Sequence, residues 1–191
     1  AARNHMYKKL NYDVKAAGIY NAPPLKFIMS DEIHPTNVIA LQYMGYGKNE
    51  LYMIPCDDQG RMIASKMPPL DDHSIVLTQA GNVNSGSFDP FNEICDLADG
   101  TGAWVHVDAA FGGWTRISNE RRYLTGGMER ADSWAFDCHK WLNIPHDSAI
   151  AVCRNASTIT DMFGVTAPYL VEGALREPNH HTPELSRRAR G

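Results

Sequence analysis

Apolar residues in this chain fall in short runs, not in long stripes. The runs at 25–29, 51–54, 74–78, 104–108, 133–136 and 149–153 are each four or five residues long. Most are rich in β-branched or aromatic residues and are bounded by Gly, Pro, Asn or Asp. That pattern predicts strands. Between them the period changes. Residues 33–44 place Val38, Ile39, Leu41 and Met44 on one side of a helix, with Ser30 and Asp31 available as caps. Residues 89–98 read as a second helix, capped by Asp89 with Pro90 in its first turn. Residues 1–10 are dense in helix formers, and Gly81 to Gly86 is turn chemistry. Strands separated mostly by roughly 15 to 30 residues of helix and loop predict βαβ units and a mainly parallel sheet flanked by helices, an α/β fold. No internal repeat, low-complexity tract or linker interrupts the pattern. Residues 172–183 are polar and proline-bounded and read as a mobile loop, with His180 and His181 facing solvent.

The two ends read as cut. Residues 1–10 enter a helix with no Ser, Thr or Asp cap before them, and another helix starts at Pro183 only to stop at Gly191. The expectation is a fragment of a longer protein.

Composition narrows the function. The chain has 191 residues, 18 Lys and Arg against 22 Asp and Glu, and a formal charge of −4. A slightly acidic balance argues against a nucleic-acid binder resting on a basic face. No apolar run approaches the roughly 18 to 20 residues that span a bilayer, and residues 1–5 carry no apolar signal region. Cys56, Cys95, Cys138 and Cys153 form no CxxC pair, so the expectation is a reduced, cytoplasmic chain.

Ligands of open α/β sheets gather beyond the carboxyl ends of the strands. Asp108 ends one strand and is followed by Ala109 and Ala110, after which Gly112 and Gly113 let the chain turn away. His139 and Lys140 follow the strand around Trp134, Asn82 and Asn84 follow the strand around Val76, and His34 opens the first long helix. Each residue has an ordinary reading: a turn carboxylate, a solvated lysine, a helix-cap histidine. His106 and Asp108, two apart on a strand, share a face, but no further metal ligands lie at useful spacing. As a pair, Asp108 and Lys140 say more. Trp134, Phe136, Trp141, Leu142 and Ile144 give Lys140 an apolar setting that favours a neutral amine able to form a Schiff base. A Schiff-base lysine with an acidic partner for a pyridinium nitrogen marks a pyridoxal phosphate (PLP) site.

The stretch His106-Val107-Asp108-Ala109-Ala110-Phe111-Gly112-Gly113, followed 32 residues after Asp108 by Lys140 in Asp137-Cys138-His139-Lys140-Trp141, closely resembles the PLP-dependent group II amino acid decarboxylases, which include the aromatic-L-amino-acid, histidine and glutamate decarboxylases. Three further stretches match in order: residues 30–34, residues 81–90 and residues 147–149. The resemblance implies the large domain of a fold-type-I PLP enzyme, of which this chain is the central part, with the phosphate-binding cup upstream and the small domain downstream. It implies that Lys140 carries the cofactor, that Asp108 binds the pyridine nitrogen, that Ala110 packs under the ring and that His34 stacks on its other face. His139 would lie near the phosphate. Tyr169, 29 residues after Lys140, matches the catalytic-loop tyrosine that returns a proton after CO₂ leaves. Two positions depart from the family pattern. Asn82-Val83 stand where many members have a Thr pair, so Asn82 is the candidate donor to the ring hydroxyl. Asp137 stands where aromatic decarboxylases tend to have Asn, and a carboxylate there repels phosphate unless it points away. The implied activity is decarboxylation of an L-amino acid, with His34 and Trp141 leaning towards an aromatic or related substrate, in a homodimer. Rival readings are another fold-type-I enzyme (aldehyde-forming, aminotransferase or lyase), a non-catalytic module, and an inactive fragment.

Overall fold

All six apolar runs form strands, and the strands pair into one sheet. This computed structural model describes residues 1–164. The loop expected over 172–183, the helix expected from Pro183, and Tyr169 lie outside them. The chain runs α1 (Ala2–Lys9), α2 (Val14–Ala17), β1 (Lys26–Ser30), α3 (Pro35–Tyr43), β2 (Leu51–Ile54), β3 (Ser74–Gln79), α4 (Phe91–Ala98), β4 (Trp104–Asp108), β5 (Ser133–Asp137), β6 (Ala149–Cys153) and α5 (Ser157–Phe163). Strand order is β2-β1-β3-β4-β5-β6. Every neighbouring pair is parallel except β5 and β6. The central strand β3 is buried along its whole length, as a parallel strand covered on both faces must be. The outer strands β2 and β6 are the exposed ones.

The period of two along each strand sorts the core into two layers. Phe27, Met29, Ile75, Leu77 and Trp104 pack on one face with Met6 and Tyr7 of α1 and Leu41 of α3. Ile28, Val76, Val105 and Val107 pack on the other with Phe91, Ile94 and Cys95 of α4. His106 and Asp108 continue the alternation of Trp104, so they belong to the α3 side.

Three local expectations need correction. Helix α3 is capped by His34, whose Nδ1 accepts from the Thr36 N–H. Ser30 is instead the buried last residue of β1, and Asp31 follows it with its N–H given to the Ile54 carbonyl. Asp89 is not a helix cap either; Pro90 holds that position. Asp89 is buried, and its two oxygens accept from the backbone N–H groups of Met62 and Gln79 at 2.8 and 2.7 Å. It thereby fastens the loop before β3 to the end of β3. Gly112 is required by space: its N–H donates to the Ala80 carbonyl, and a Cβ there would lie 2.5 Å from that oxygen and from the Phe88 ring. This close approach lets β4 end in a tight turn beside β3.

Burial pushes the Asp89 carboxyl up to about 6, overriding the two N–H donors that favour its charged form. Because the folded value lies above the usual carboxylate value, its contribution to stability is complete below pH ~4 and is lost as pH rises through about 6. A shift of this size corresponds to about 3 kcal/mol. Unfolding free energies from urea titrations between pH 4 and 7 are expected to fall in the parent by that much more than in Asp89→Asn, which cannot ionise. Parallel profiles would show that the carboxyl does not carry the dependence.

Candidate active site

Parallel pairing brings the ends of β3, β4 and β5 to one edge of the sheet. Asp108 is the last residue of β4 and pairs with Ala135 of β5. The backbone fixes it on both sides: its carbonyl accepts from the Ala80 N–H, and the Ala109 N–H donates to the Ala135 carbonyl, each at 2.8 Å. The half-buried carboxylate accepts from the Asn37 amide at 2.9 Å on Oδ2 and from the Ala110 N–H at 3.2 Å on Oδ1. It pairs with no Lys, Arg or His among the described residues. His106, two residues earlier on the same face, adds no charge. Desolvation pushes its imidazole down to about 4, so it stays neutral and shares its Nδ1 with the Ser133 hydroxyl at 2.7 Å.

Lys140 lies three residues past the end of β5. Its Nζ is 2.9 Å from Asp137 Oδ2 and 4.3 Å from the centre of the Phe111 ring. Phe111 follows Asp108 by three residues, so the aromatic ring links the lysine to the end of β4. Three residues of the apolar setting expected around Lys140 turn away from it. Trp141, Leu142 and Ile144 face outward at 57, 42 and 43 % exposure, because the segment after Lys140 leaves the sheet. The amine instead rests between a carboxylate and an aromatic face. Asp137 therefore turns towards Lys140, and its second neighbour is His139, with Nε2 at 3.5 Å. His139 accepts from the Ser148 N–H on Nδ1 and stacks on His146, ring centres 4.0 Å apart.

His34 sits at the same edge. Its N–H donates to Gln79 Oε1 at the end of β3, and its Nδ1 meets the Thr36 hydroxyl at 2.7 Å. One turn on, Asn37 reaches Asp108. Ala110 is half-buried directly beyond Asp108. Asn82 is buried and largely committed to its own loop: Oδ1 accepts from the Asn84 and Ser85 N–H groups, and Nδ2 donates to the Glu32 carbonyl.

A pyridoxal-dependent decarboxylase conserved domain model matches residues 1–190. The chain belongs to that family. Cysteine sulfinic acid decarboxylase of Mus musculus is 31 % identical over 173 residues, 84 % of this chain and 34 % of that protein. Aromatic-L-amino-acid decarboxylase of Bacillus atrophaeus is 30 % identical and takes in 95 % of this chain and 39 % of that protein. The chain thus spans little more than a third of the length of these relatives. The fold agrees with the mouse CSAD crystal structure in apo form at a TM-score of 0.78 and 28 % identity, covering 90 % of this chain and 37 % of that one. It agrees with Oryza sativa TDC crystallised with PLP and tryptamine at 0.77 and 26 %, covering 91 % and 36 %. The mainly parallel sheet with its antiparallel edge strand is therefore the fold of these decarboxylases.

Sequence reasoning missed three residues of this edge. Gln79 ties His34 to β3, Phe111 faces the lysine, and Asn37 holds Asp108. Asn37 alone carried a readable signal, lying three residues, one helical turn, after His34.

Proposed function

We propose that the complete protein is a PLP-dependent decarboxylase that converts an L-amino acid to the amine and CO₂. The observation that carries this reading is the half-buried Asp108 carboxylate, without a cationic partner among the described residues, on the strand beside the one that leads to Lys140. A carboxylate so placed suits a protonated ring nitrogen, and an amine so placed suits an aldehyde. When bound, PLP supplies an electron sink for the pair left on Cα by departing CO₂.

The chain's own residues do the rest. Lys140 supplies the amine that tethers the cofactor. Asp108 accepts the ring N–H and keeps that proton in place, holding positive charge where the electrons must go. His34, at the start of α3, would cover one ring face, and Ala110 would leave room at the other. His139 would serve the phosphate. Asn82 has one amide N–H beyond its loop contacts with which to reach the ring hydroxyl. Tyr169, by the family resemblance, returns a proton to Cα. Relatives of this chain include decarboxylases named for acidic and for aromatic substrates, and the reaction proposed is common to both. The proposal extends to a cytoplasmic homodimer. All four cysteines are free thiols, and Trp141, Leu142 and Ile144 form an exposed apolar rim beside Lys140 that a second copy would cover.

Borohydride reduction in the presence of PLP, followed by peptide mapping, is expected to label Lys140, and Lys140→Ala to abolish both label and turnover. A label on Lys26, Lys48 or Lys66 overturns the assignment. Asp108→Asn is expected to bind cofactor yet lose about 100-fold in kcat, the equivalent of one transition-state charge contact of about 3 kcal/mol. A near-parental kcat would remove Asp108 from the reaction. Tyr169→Phe deletes only a hydroxyl. Amine output is expected to drop sharply, with aldehyde, ammonia and peroxide appearing as oxygen meets the unprotonated Cα. Parental amine output without aldehyde would make the tyrosine structural. Assays with cysteine sulfinate, glutamate, tryptophan and histidine, read as CO₂ and amine, separate the substrate classes.

A further inference from the structure

We propose that Asn37 is a positioning residue that sets the plane of the Asp108 carboxylate towards the cofactor ring. The inference rests on the reading of Asp108 given above and goes beyond it. Asn37 lies in the first turn of α3, is half-buried, and donates from Nδ2 to Asp108 Oδ2 at 2.9 Å. The Ala110 N–H donates to the other oxygen at 3.2 Å. One donor on each oxygen fixes the rotation of a carboxylate about its Cβ–Cγ bond. Each oxygen accepts at about two positions, so both keep capacity for a ring N–H.

The same turn of helix holds His34. The His34 N–H is anchored to Gln79 Oε1 at 3.2 Å, and its carbonyl lies 3.4 Å from Asn37 Nδ2. The start of α3 is therefore pinned to β3 through Gln79 and to β4 through Asn37. The residue over the ring face and the residue at the ring nitrogen are set by one helical turn. Removing the Asn37 amide leaves Asp108 with a single side-on donor from its own backbone neighbourhood. Its carboxylate is then free to swing while the fold around it is unchanged. No other side-chain amide, Lys, Arg or protonated His among the described residues touches Asp108.

The test compares Asn37→Ala and Asn37→Leu in the complete protein. Both remove the donor and keep the helix, since both residues have high helix propensity. Leucine keeps roughly the bulk of Asn and carries no hydrogen-bonding group. A role in packing alone predicts that Leu is much the milder change; positioning predicts that the two variants lose alike. Expected values are a Kd for PLP raised about tenfold in each variant, the worth of one charge-assisted hydrogen bond. The kcat is expected to fall in both, with KM changed less than twofold. Ring-nitrogen signals from ¹⁵N-labelled PLP give a readout apart from turnover: the bound parent is expected to show a protonated nitrogen, and both variants a shift towards the unprotonated position. A parental Kd and ring-nitrogen signal in either variant, or Leu much milder than Ala, overturns the proposal while borohydride labelling of Lys140 still stands. If the parent itself takes no label at Lys140, the reading of the site falls and this inference with it.

Discussion

The site depends on one constraint: β3, β4 and β5 run parallel and in register. A parallel sheet collects all its carboxyl ends on one edge, and here that edge carries Gln79, Asp108 and the approach to Lys140 in adjacent positions. The register is held tightly at the point where it matters. Ala80, Asp108, Ala109 and Ala135 exchange backbone hydrogen bonds across three strands, and Gly112 lets the chain after Asp108 fold back within contact of Ala80. A slip of one residue in β4 would move Asp108 to the α4 side, where Val105 and Val107 pack. The buried side chains of that layer thus fix the face on which the carboxylate emerges.

Charge at this edge is arranged by distance. Two carboxylates, Asp108 and Asp137, stand at this edge. Asp137 pairs with Lys140 at 2.9 Å, whereas Asp108 is engaged only by neutral donors, Asn37 and the Ala110 backbone. Neutral His106 keeps it that way, because burial holds its imidazole uncharged. The two acids therefore differ: Asp137 has its countercharge already, and Asp108 has none among the described residues. The carboxylate of Asp137 is turned onto the amine and His139, an orientation that the sequence by itself leaves open.

Much of this was legible in the chain because the relevant signals were periodic or punctuated. The short β-rich runs marked all six strands, and period two placed His106 and Asp108 on one face. The order in which the strands assemble was not legible, since β2 pairs outside β1 and β6 reverses direction, and neither follows from local pattern. Asp89 misled for a related reason. A short acid before a proline and an apolar run reads as a helix cap, but two distant N–H groups at Met62 and Gln79 compete for the same oxygens. Lys140 misled in the opposite sense. Apolar neighbours in sequence were read as neighbours in space, yet Trp141, Leu142 and Ile144 point outward while Phe111, 29 positions earlier, supplies the ring. Asn37 and Gln79 act through side-chain contacts with other elements, which no single-segment pattern encodes.

The two halves of the proposed chemistry make different demands on the fold, and the chain meets them with different kinds of backbone. An acceptor for a ring nitrogen has to stay still through the whole reaction, so it belongs on a strand flanked by paired neighbours; Asp108 is the last residue of such a strand. The amine has to move. It would have to give way to the amino group of a substrate and return afterwards. Lys140 accordingly stands beyond β5, at the start of the exposed segment 141–147, where a side chain can swing without disturbing the sheet. It also has a defined place to wait, between the Asp137 carboxylate at 2.9 Å and the Phe111 face at 4.3 Å. Both contacts suit the charged amine and neither requires the cofactor. The paired position of Asp108 and the nearby resting place of Lys140 are thus two consequences of one arrangement, a parallel sheet whose adjacent strands end at one edge.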